Sequence, residues 1–161
     1  MWQADWNSAK ISSSRMSYLC LHYHFVFATK GRAPIIAPEW RAELHRYLAG
    51  TVQGLGGQCE IVNGTADHIH LLARPDIDQT IPDFMREIKR MSSKWVNSDV
   101  AKSRFAWQEG YAAFTVSASA VDSVRRYIEN QEEHHRKRGF RVELMILLKR
   151  SGVKFDERYL D

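Results

Sequence analysis

The stretch Thr65-Ala66-Asp67-His68-Ile69-His70-Leu71-Leu72 places two histidines one residue apart inside an apolar run of strand character. Side chains two residues apart leave the same face of a strand, which rises about 3.3 Å per residue, so His68 and His70 stand roughly 6 to 7 Å apart. Their imidazoles can converge on one ion, while Ile69 and Leu71 point to the opposite, core-forming face. A lone His-x-His pair is more often exposed or hydrogen-bonded than metal-binding, so the pair alone does not establish a metal site.

Upstream, residues 18–29 alternate strictly between two sets of side chains, which predicts a first strand with one buried face. A second His-x-His pair, His22 and His24, falls on the face that does not form the core. These two histidines are possible neighbours of His68 and His70, although a structural role is commoner for such residues. The expected core-facing row is Leu19, Leu21, Tyr23, Phe25 and Phe27.

The order of predicted elements is typical of an α+β protein of the ferredoxin-like (RRM-like) kind, an antiparallel sheet with helices on one face. The sheet face that carries the four histidines is then left for a ligand, a third helix or a partner chain. A C-terminal helix, which contains Tyr127, follows the last strand. The predicted elements are strands over 18–29, 58–63, 68–74 and 111–117, and helices over 39–55, from Thr80 onward, over 121–137 and over 142–148.

The length and composition predict one folded domain, because the chain has 161 residues of which 44% are hydrophobic and 26% charged. Residues 1–16 show no periodicity and are expected to form a poorly ordered extension. A main domain over 17–137 and a tail over 138–161 with a short helix follow. The net charge of +4 permits a polyanionic partner without requiring one.

Two further patterns bear on the compartment. Cys20 and Cys59 lie in strand-like apolar runs rather than in a C-x-x-C arrangement, so we expect buried free thiols in a reducing environment. No apolar run approaches the length needed to cross a bilayer, and no signal peptide is recognisable. The sequence therefore predicts a soluble cytoplasmic protein with no membrane partner.

A divalent ion held by two imidazoles needs a further protein ligand, with positions left open for water or substrate. Gln131 offers a neutral amide oxygen and follows Tyr127 by four residues, which is one turn of the predicted helix. An ion bound by Gln131 would lie close to the Tyr127 hydroxyl. Such an ion can polarise a phosphate oxygen and allow a phenol of ordinary pKa near 10 to act as a nucleophile.

Four stretches together resemble the single-tyrosine HUH transposases of the insertion-sequence-200 type. They are Tyr23-His24-Phe25-Val26-Phe27-Ala28-Thr29-Lys30, Asp67-His68-Ile69-His70-Leu71-Leu72, Trp107-Gln108-Glu109-Gly110-Tyr111 and Arg126-Tyr127-Ile128-Glu129-Asn130-Gln131. The resemblance spans roughly residues 18–135, which makes 17–137 the transposase domain. Each motif is common alone, whereas His-hydrophobic-His followed by a helical Tyr-x-x-x-Gln is specific.

The resemblance implies a metal-dependent DNA transposase. His68, His70 and Gln131 would bind Mg²⁺ or Mn²⁺, and Tyr127 would attack a phosphate of single-stranded DNA beside a hairpin. The products would be a 5′-phosphotyrosine adduct and a free 3′-hydroxyl, which the reverse reaction rejoins. The resemblance also implies a homodimer in which the tyrosine helix of one protomer completes the metal site of the other.

Hairpin recognition would need cations, and six basic side chains are candidates by charge alone. Three alternatives stay open beside the transposase. One is a host-adapted relative that processes repeated chromosomal hairpins, another is a non-catalytic module that binds single-stranded nucleic acid, and the weakest is a general metal-dependent nuclease. For His22 and His24, a contact with DNA is a further alternative. The six cations are Lys30, Arg32, Arg86, Lys89, Arg90 and Lys94.

Overall fold

The computed structural model describes residues 18–100, 104–137 and 139–160, so the extension expected over residues 1–16 lies outside the described residues. These described residues contain four strands and five α-helices. No helix among the described residues is long and apolar enough to cross a membrane. The elements in chain order are β1 (His22–Ala28), α1 (Pro38–Gly54), β2 (Gln58–Gly64), β3 (His68–Arg74), α2 (Ile81–Trp95), β4 (Ala112–Val116), α3 (Val121–Glu129), α4 (Gln131–Lys137) and α5 (Phe140–Arg150).

The strands form one antiparallel sheet in the order β2-β3-β1-β4. This order places β1 and β3 at the centre, where Val26 pairs with His70 and Ala28 pairs with His68. Sheet order and helix placement confirm the predicted ferredoxin-like α+β fold. The strand with the two histidines is therefore a central strand, paired on both sides.

One face of the sheet, which we call the first face, packs against α1 and α2. Phe25, Ile69 and Leu71 point to this face and are fully buried. Leu48 from α1 and Phe84 from α2 complete the contact, and both are also fully buried. The period of two in the strands and the three- and four-residue spacing in the helices bring all these side chains into one apolar core.

The helices of the first face begin at the predicted signals. Pro38 occupies the first turn of α1, where its missing N–H removes no intrahelical hydrogen bond. Thr80 caps α2, because its Oγ1 accepts a hydrogen bond of 3.2 Å from the backbone N–H of Asp83. The caps fix where each helix starts, and so which of its faces meets the sheet.

The opposite face, which we call the second face, is covered by helices of the same chain. Ile128 of α3 packs with Leu72 and Val116. Phe140 of α5 packs with Val26 on the same side of the sheet. A ligand, a third helix or a partner chain was expected on this face, and the structure places the helices α3 and α5 there.

The first strand is shorter than the alternating pattern predicts. β1 begins at His22, which pairs with Val116, and residues 18–21, the described residues before it, pair with no strand. Leu19 and Leu21 are 55% and 47% exposed, so their assignment to the core was wrong. Cys20, predicted to be buried, is exposed for the same reason. Alternation alone does not bury a side chain where the sheet has ended.

The prediction of a single helix over residues 121–137 is also wrong, because the helix is interrupted at Asn130. This residue has φ −95° and ψ 21°, and its Nδ2 donates to the Arg126 carbonyl at 2.8 Å. The Nδ2 atom of Asn63 donates hydrogen bonds to the carbonyls of Ile128 and Glu129, at 2.8 and 3.1 Å. Asparagine side chains thus replace the helical hydrogen bonds here, and Gln131 begins α4.

Candidate metal centre and tyrosine site

His68 and His70 lie side by side on the second face of β3, and both are fully buried. The Nδ1 atom of His68 is 2.7 Å from Asp67 Oδ1 and 2.9 Å from Thr65 Oγ1. The Nδ1 atom of His70 is 2.8 Å from His24 Nε2. The Nε2 atoms of both His68 and His70 are buried without a hydrogen-bond partner among the described residues. Metal-binding histidines have this arrangement, in which one nitrogen is oriented by a neighbour and the other is free.

Burial keeps these imidazoles neutral. It lowers the pKa of His24 to about 4, although the charge of Glu143 acts in the opposite direction. Burial also lowers the pKa of His68, against a raising effect of the hydrogen bond to Asp67. The pKa of His70 falls well below its ordinary value because of burial and the adjacent His24. Neutral imidazoles that donate through Nδ1 present a lone pair on Nε2, the form that binds a metal.

Gln131 lies in the same cluster, although it belongs to a separate helix from Tyr127. Its side chain is fully buried, and its Nε2 donates to Glu143 Oε1 at 3.1 Å. Its Oε1 has no hydrogen-bond partner among the described residues. A buried amide oxygen without a partner is costly unless something else binds it. The atom that the sequence suggested as a metal ligand is therefore available.

Glu143 stands at the centre of the cluster, and sequence reasoning did not select it. Its Oε1 accepts hydrogen bonds from Tyr127 and Gln131, and its Oε2 accepts one of 2.7 Å from His135 Nε2. Oε1 is also 3.7 Å from His70 Nε2. One candidate ligand atom each from His68, His70, His135 and Glu143 lies within 4.8 Å of the others.

A signal for Glu143 was present in the sequence. The apolar run over 142–148 predicts a packed helix that contains Glu143, and in the structure Glu143 lies three residues after Phe140 on the buried side of α5. Charged residues are rarely buried unless they are paired or bind a metal, so a carboxylate there is informative. His135 lies in a polar run of the sequence, residues 131–137, where no comparable pattern distinguishes it.

Tyr127 is carried by α3 to the edge of this cluster. Its ring centroid lies 5.9 Å from that of His70 and 6.1 Å from that of His24. Its hydroxyl donates to Glu143 Oε1. Burial raises the pKa of Tyr127 above its ordinary value, and the hydrogen bond to Glu143 raises it further. In this arrangement the tyrosine is a protonated donor held by Glu143.

The position of α3 depends on contacts with β2 of the same chain. Asn63 of β2 holds the last carbonyls of α3, as described above. Arg125 donates to the backbone carbonyl of Glu60 at 3.0 Å and to its carboxylate at 2.8 Å. These contacts place Tyr127 over its own sheet.

The two possible neighbours of the site separate in the structure. His24 contacts His70 directly and stacks on its ring, with centroids 5.1 Å apart. His22 instead lies beside Glu60, 3.9 Å from its carboxylate, in the group that anchors α3. Of the two, only His24 touches the cluster.

The basic turn after β1 lies next to the cluster. Gly31 there adopts φ 62° and Arg32 adopts φ 53°, a tight turn that folds the chain back toward β3. The Arg32 guanidinium lies 4.9 Å from the centre of the Phe140 ring and 3.8 Å from Asp67 Oδ2. Lys30 in the same turn is exposed. The turn therefore places the positive charge of Arg32 beside Asp67 and Phe140, which both contact His68.

The cations of α2 are mostly engaged within the protein. Lys89 Nζ donates to the carbonyls of Gln108, Glu109 and Gly110 at 2.8, 2.9 and 2.7 Å. Burial lowers the pKa of Lys89 to about 8. A lysine with three carbonyl acceptors is a poor candidate for a phosphate contact. Of the others, Arg86 pairs with Asp83 and Arg90 with Glu87, both at 2.7 Å, and Lys94 is exposed.

The fold and the site together define a ferredoxin-like α+β protein with a candidate metal centre beside a tyrosine. Comparison with known protein families gives a narrower assignment. The chain belongs to the IS200-like transposases, whose family model matches residues 17–131. The protein is thus an enzyme of DNA recombination by family, and α5 with Glu143 follows the matched region.

Similar proteins agree with this assignment. The chain is 27% identical over 119 residues to the ISDra2 transposase TnpA of Deinococcus radiodurans, covering 70% of this chain and 85% of the relative. A solved structure of a candidate transposase from Deinococcus radiodurans R1 is 25% identical with a TM-score of 0.58, covering 74% of this chain and 98% of that one. The REP-associated tyrosine transposase, solved bound to a REP hairpin, shares the fold with 14% identity and a TM-score of 0.53, over 81% of this chain and 76% of that one.

Proposed function

We propose that this transposase cleaves and rejoins single-stranded DNA at hairpin-bearing ends, with Tyr127 as the nucleophile and a divalent ion held by His68, His70 and Gln131. One observation carries the proposal. His68 Nε2, His70 Nε2 and Gln131 Oε1 are all buried without hydrogen-bond partners among the described residues, and they belong to the cluster that contains the Tyr127 hydroxyl. Three buried acceptor atoms without hydrogen-bond partners, all close to one tyrosine, are what a bound cation would satisfy.

The donor set fits Mg²⁺ or Mn²⁺. Two imidazole nitrogens and an amide oxygen leave positions for water and for a phosphate oxygen, which these ions readily accept. A bound divalent cation supplies polarisation of the phosphate and offsets the negative charge that develops during the reaction. His24, Asp67 and Thr65 hold the two imidazoles in the orientation that this role requires.

The chemistry of the chain itself is a transesterification. The Tyr127 oxygen forms a bond to the scissile phosphorus while the bond from phosphorus to the 3′ oxygen breaks. The products are a 5′-phosphotyrosine and a free 3′-hydroxyl. The phenolic proton leaves along the hydrogen bond to Glu143, the acceptor already in place. Since one phosphodiester replaces another, the reverse reaction rejoins DNA without a nucleotide cofactor.

The partners belong to the same proposal. Hairpin DNA is the proposed substrate, and the structural neighbour solved with a REP hairpin supports that choice. The turn with Lys30 and Arg32 is the best placed of the predicted DNA contacts, because it lies beside His68, whereas Lys89 is engaged elsewhere. We retain the homodimer as a prediction: the tyrosine helix of one protomer would dock on the partner's sheet in the place that α3 occupies on its own sheet in this structure. A cytoplasmic location at the nucleoid belongs to the same prediction.

The decisive experiment incubates the protein with hairpin-bearing single-stranded DNA and Mn²⁺ and looks for an adduct that survives denaturation. The adduct should form with the native protein, disappear with chelator and disappear in Tyr127→Phe. Tyr47→Phe is the matched control, because Tyr47 stacks on Trp95 at 4.7 Å on the far side of the sheet. No adduct with the native protein, or an adduct that persists in Tyr127→Phe, rejects the proposal. Binding that is insensitive to chelator would instead favour a non-catalytic module.

A further inference from the structure

The carboxylate of Glu143, proposed above as the acceptor of the Tyr127 proton, also contacts three candidate or neighbouring ligands of the ion, Gln131, His135 and His70. We propose that Glu143 is a fourth protein ligand of the divalent ion, and that its Oε1 exchanges between the ion and the Tyr127 hydroxyl. This inference rests on the proposed metal site at His68, His70 and Gln131. It adds a ligand from α5, a helix that lies beyond the residues matched by the family model.

The distances place Oε1 among the proposed ligand atoms. Glu143 Oε1 is 3.1 Å from the Gln131 amide nitrogen and 3.7 Å from His70 Nε2. The candidate ligand atoms of Glu143, His68 and His70 lie within 4.8 Å of one another. Ligand atoms bound to one ion at 2.0 to 2.2 Å are separated by roughly 3 to 4 Å. Small movements of the side chains would therefore bring the ligand atoms of Glu143, His68 and His70 to the separations expected around one ion.

The two carboxylate oxygens are distinguishable. Oε2 accepts a hydrogen bond of 2.7 Å from His135 Nε2, which orients the carboxylate. Oε1 is left to face Tyr127, Gln131 and His70. This division is that of a metal-binding carboxylate, in which one oxygen is held by a neighbour while the other coordinates.

Charge also favours a cation at this point. Glu143 is only 8% exposed, and its ion-pair partners among the described residues are two histidines, His70 and His135. A buried carboxylate is stable only when its charge is balanced or densely hydrogen-bonded. Glu143 now accepts hydrogen bonds from Tyr127, Gln131 and His135, and a divalent ion would add positive charge directly beside this buried carboxylate.

Binding of an ion by Oε1 has a consequence for the nucleophile. The oxygen that now accepts the Tyr127 hydroxyl would share its electron density with the cation, so the hydrogen bond to Tyr127 would weaken. Metal binding and the tyrosine hydrogen bond therefore compete for one atom. Removal of the hydroxyl should tighten metal binding, and removal of the carboxylate charge should weaken it.

The test measures Mn²⁺ affinity of the full chain by isothermal titration calorimetry without DNA, and a thermal melt verifies that each variant is folded. We expect Glu143→Gln to raise the Kd for Mn²⁺ at least 10-fold, and Tyr127→Phe to lower it about 3-fold or more. Glu43→Gln, an exposed carboxylate on α1, should leave the Kd unchanged and serves as the matched control.

The outcomes separate the inference from the proposed function. If the native protein binds no Mn²⁺, or His68→Ala binds it as well as the native protein, the proposed metal site fails and the inference with it. If His68→Ala abolishes binding while folded Glu143→Gln binds normally, the inference alone is overturned. Should Glu143→Gln not fold, an unchanged Kd in Tyr127→Phe still overturns the exchange, and a lowered Kd supports it.

Discussion

The two faces of the sheet are built from the same strands and yet have opposite chemistry. On the first face Phe25, Ile69 and Phe84 are fully buried in an apolar cluster, and the buried Ser92 hydroxyl beside it is hydrogen-bonded to Ile88 and Trp107. On the second face the equally buried His70 and Gln131 carry polar atoms without partners among the described residues. Neighbouring residues of one strand thus contribute to a dry core and to a reactive cluster.

The difference shows how stability and chemistry are divided in a small domain. Each buried polar group without a partner costs about 1 to 3 kcal/mol, so the second face is a poor source of stability. Each large side chain buried on the first face contributes about 1.5 to 3 kcal/mol. The first face therefore offsets the cost of a second face whose groups are kept available for a ligand.

The largest expected effect contrasts the two faces directly. Phe25→Ala should lower the free energy of unfolding by about 3 to 5 kcal/mol, because it leaves a cavity in the first face. Gln131→Met, a change of similar volume on the second face, should lower it by less than about 1 kcal/mol while the DNA adduct is lost. Urea denaturation of both variants checks the contrast. Equal destabilisation would show that the second face also holds the fold together.

Acid should destabilise the protein through the second face. His24 has a pKa of about 4 when folded, against about 6.5 when unfolded. Between these values the unfolded chain binds a proton that the folded one does not, so stability falls as the pH drops from 6.5 to 4. For His24 alone this corresponds to about 3 kcal/mol. The groups facing it are His70, Tyr127 and the charge of Glu143.

Urea titrations at pH 7, 5.5 and 4 measure the acid effect. His24→Gln keeps a polar group toward His70 and should flatten the profile. His45 on α1 also has a pKa lowered to about 4 by burial, so His45→Gln in parallel separates the helix of the first face from the second face. A native protein equally stable at pH 7 and pH 4 would contradict neutral buried histidines.

A smaller effect is expected at the contact that docks the tyrosine helix. Asn63→Ala removes two hydrogen bonds to the end of α3, which should cost about 1 kcal/mol and slow adduct formation more than it lowers stability. Asn97, on the side of α2, also makes two backbone bonds: it donates to the Phe105 carbonyl at 2.9 Å and accepts from the Phe105 N–H at 2.7 Å. Asn97→Ala should lose similar stability and keep the adduct rate. The rate of adduct formation decides between positioning and simple destabilisation.

The smallest effect is expected on the surface, away from both faces. Arg86→Ala removes an exposed ion pair with Asp83 and should change the free energy of unfolding by less than about 0.5 kcal/mol. It should also leave hairpin affinity nearly unchanged, whereas Lys30→Ala should weaken it and lower the salt dependence by about one charge. Filter binding at several salt concentrations checks both. An equal loss of hairpin affinity in the two variants would indicate that DNA also contacts α2.

Much of the scaffold could be predicted because its signals are local. The bounds of β3, the cap at Thr80 and the sheet class follow from a period of two, a capping side chain and the order of elements. The site was predicted only in part. The placement of His68 and His70 on one face follows from their spacing, while their roles with Gln131 and Tyr127 remain predictions drawn from a resemblance.

The remaining features escaped prediction because they depend on distant partners. Leu21 lies in a strand pattern but has no strand beside it. The helix break at Asn130 depends on the side chain of Asn63, which is far away in the chain. Glu143 occupies a helix that looks like ordinary core until α5 is placed against Tyr127.

By itself the sequence determined the alternation that separates the first face from the second, because the direction of a side chain in a strand is set by its neighbours along the chain. Only the tertiary structure decided that a carboxylate sixteen residues after the tyrosine accepts its hydroxyl. The helix break at Asn130 separates α3 from α4, and Phe140 of α5 packs on Val26 of the sheet. Contacts across such breaks depend on how helices pack, and no local period records them.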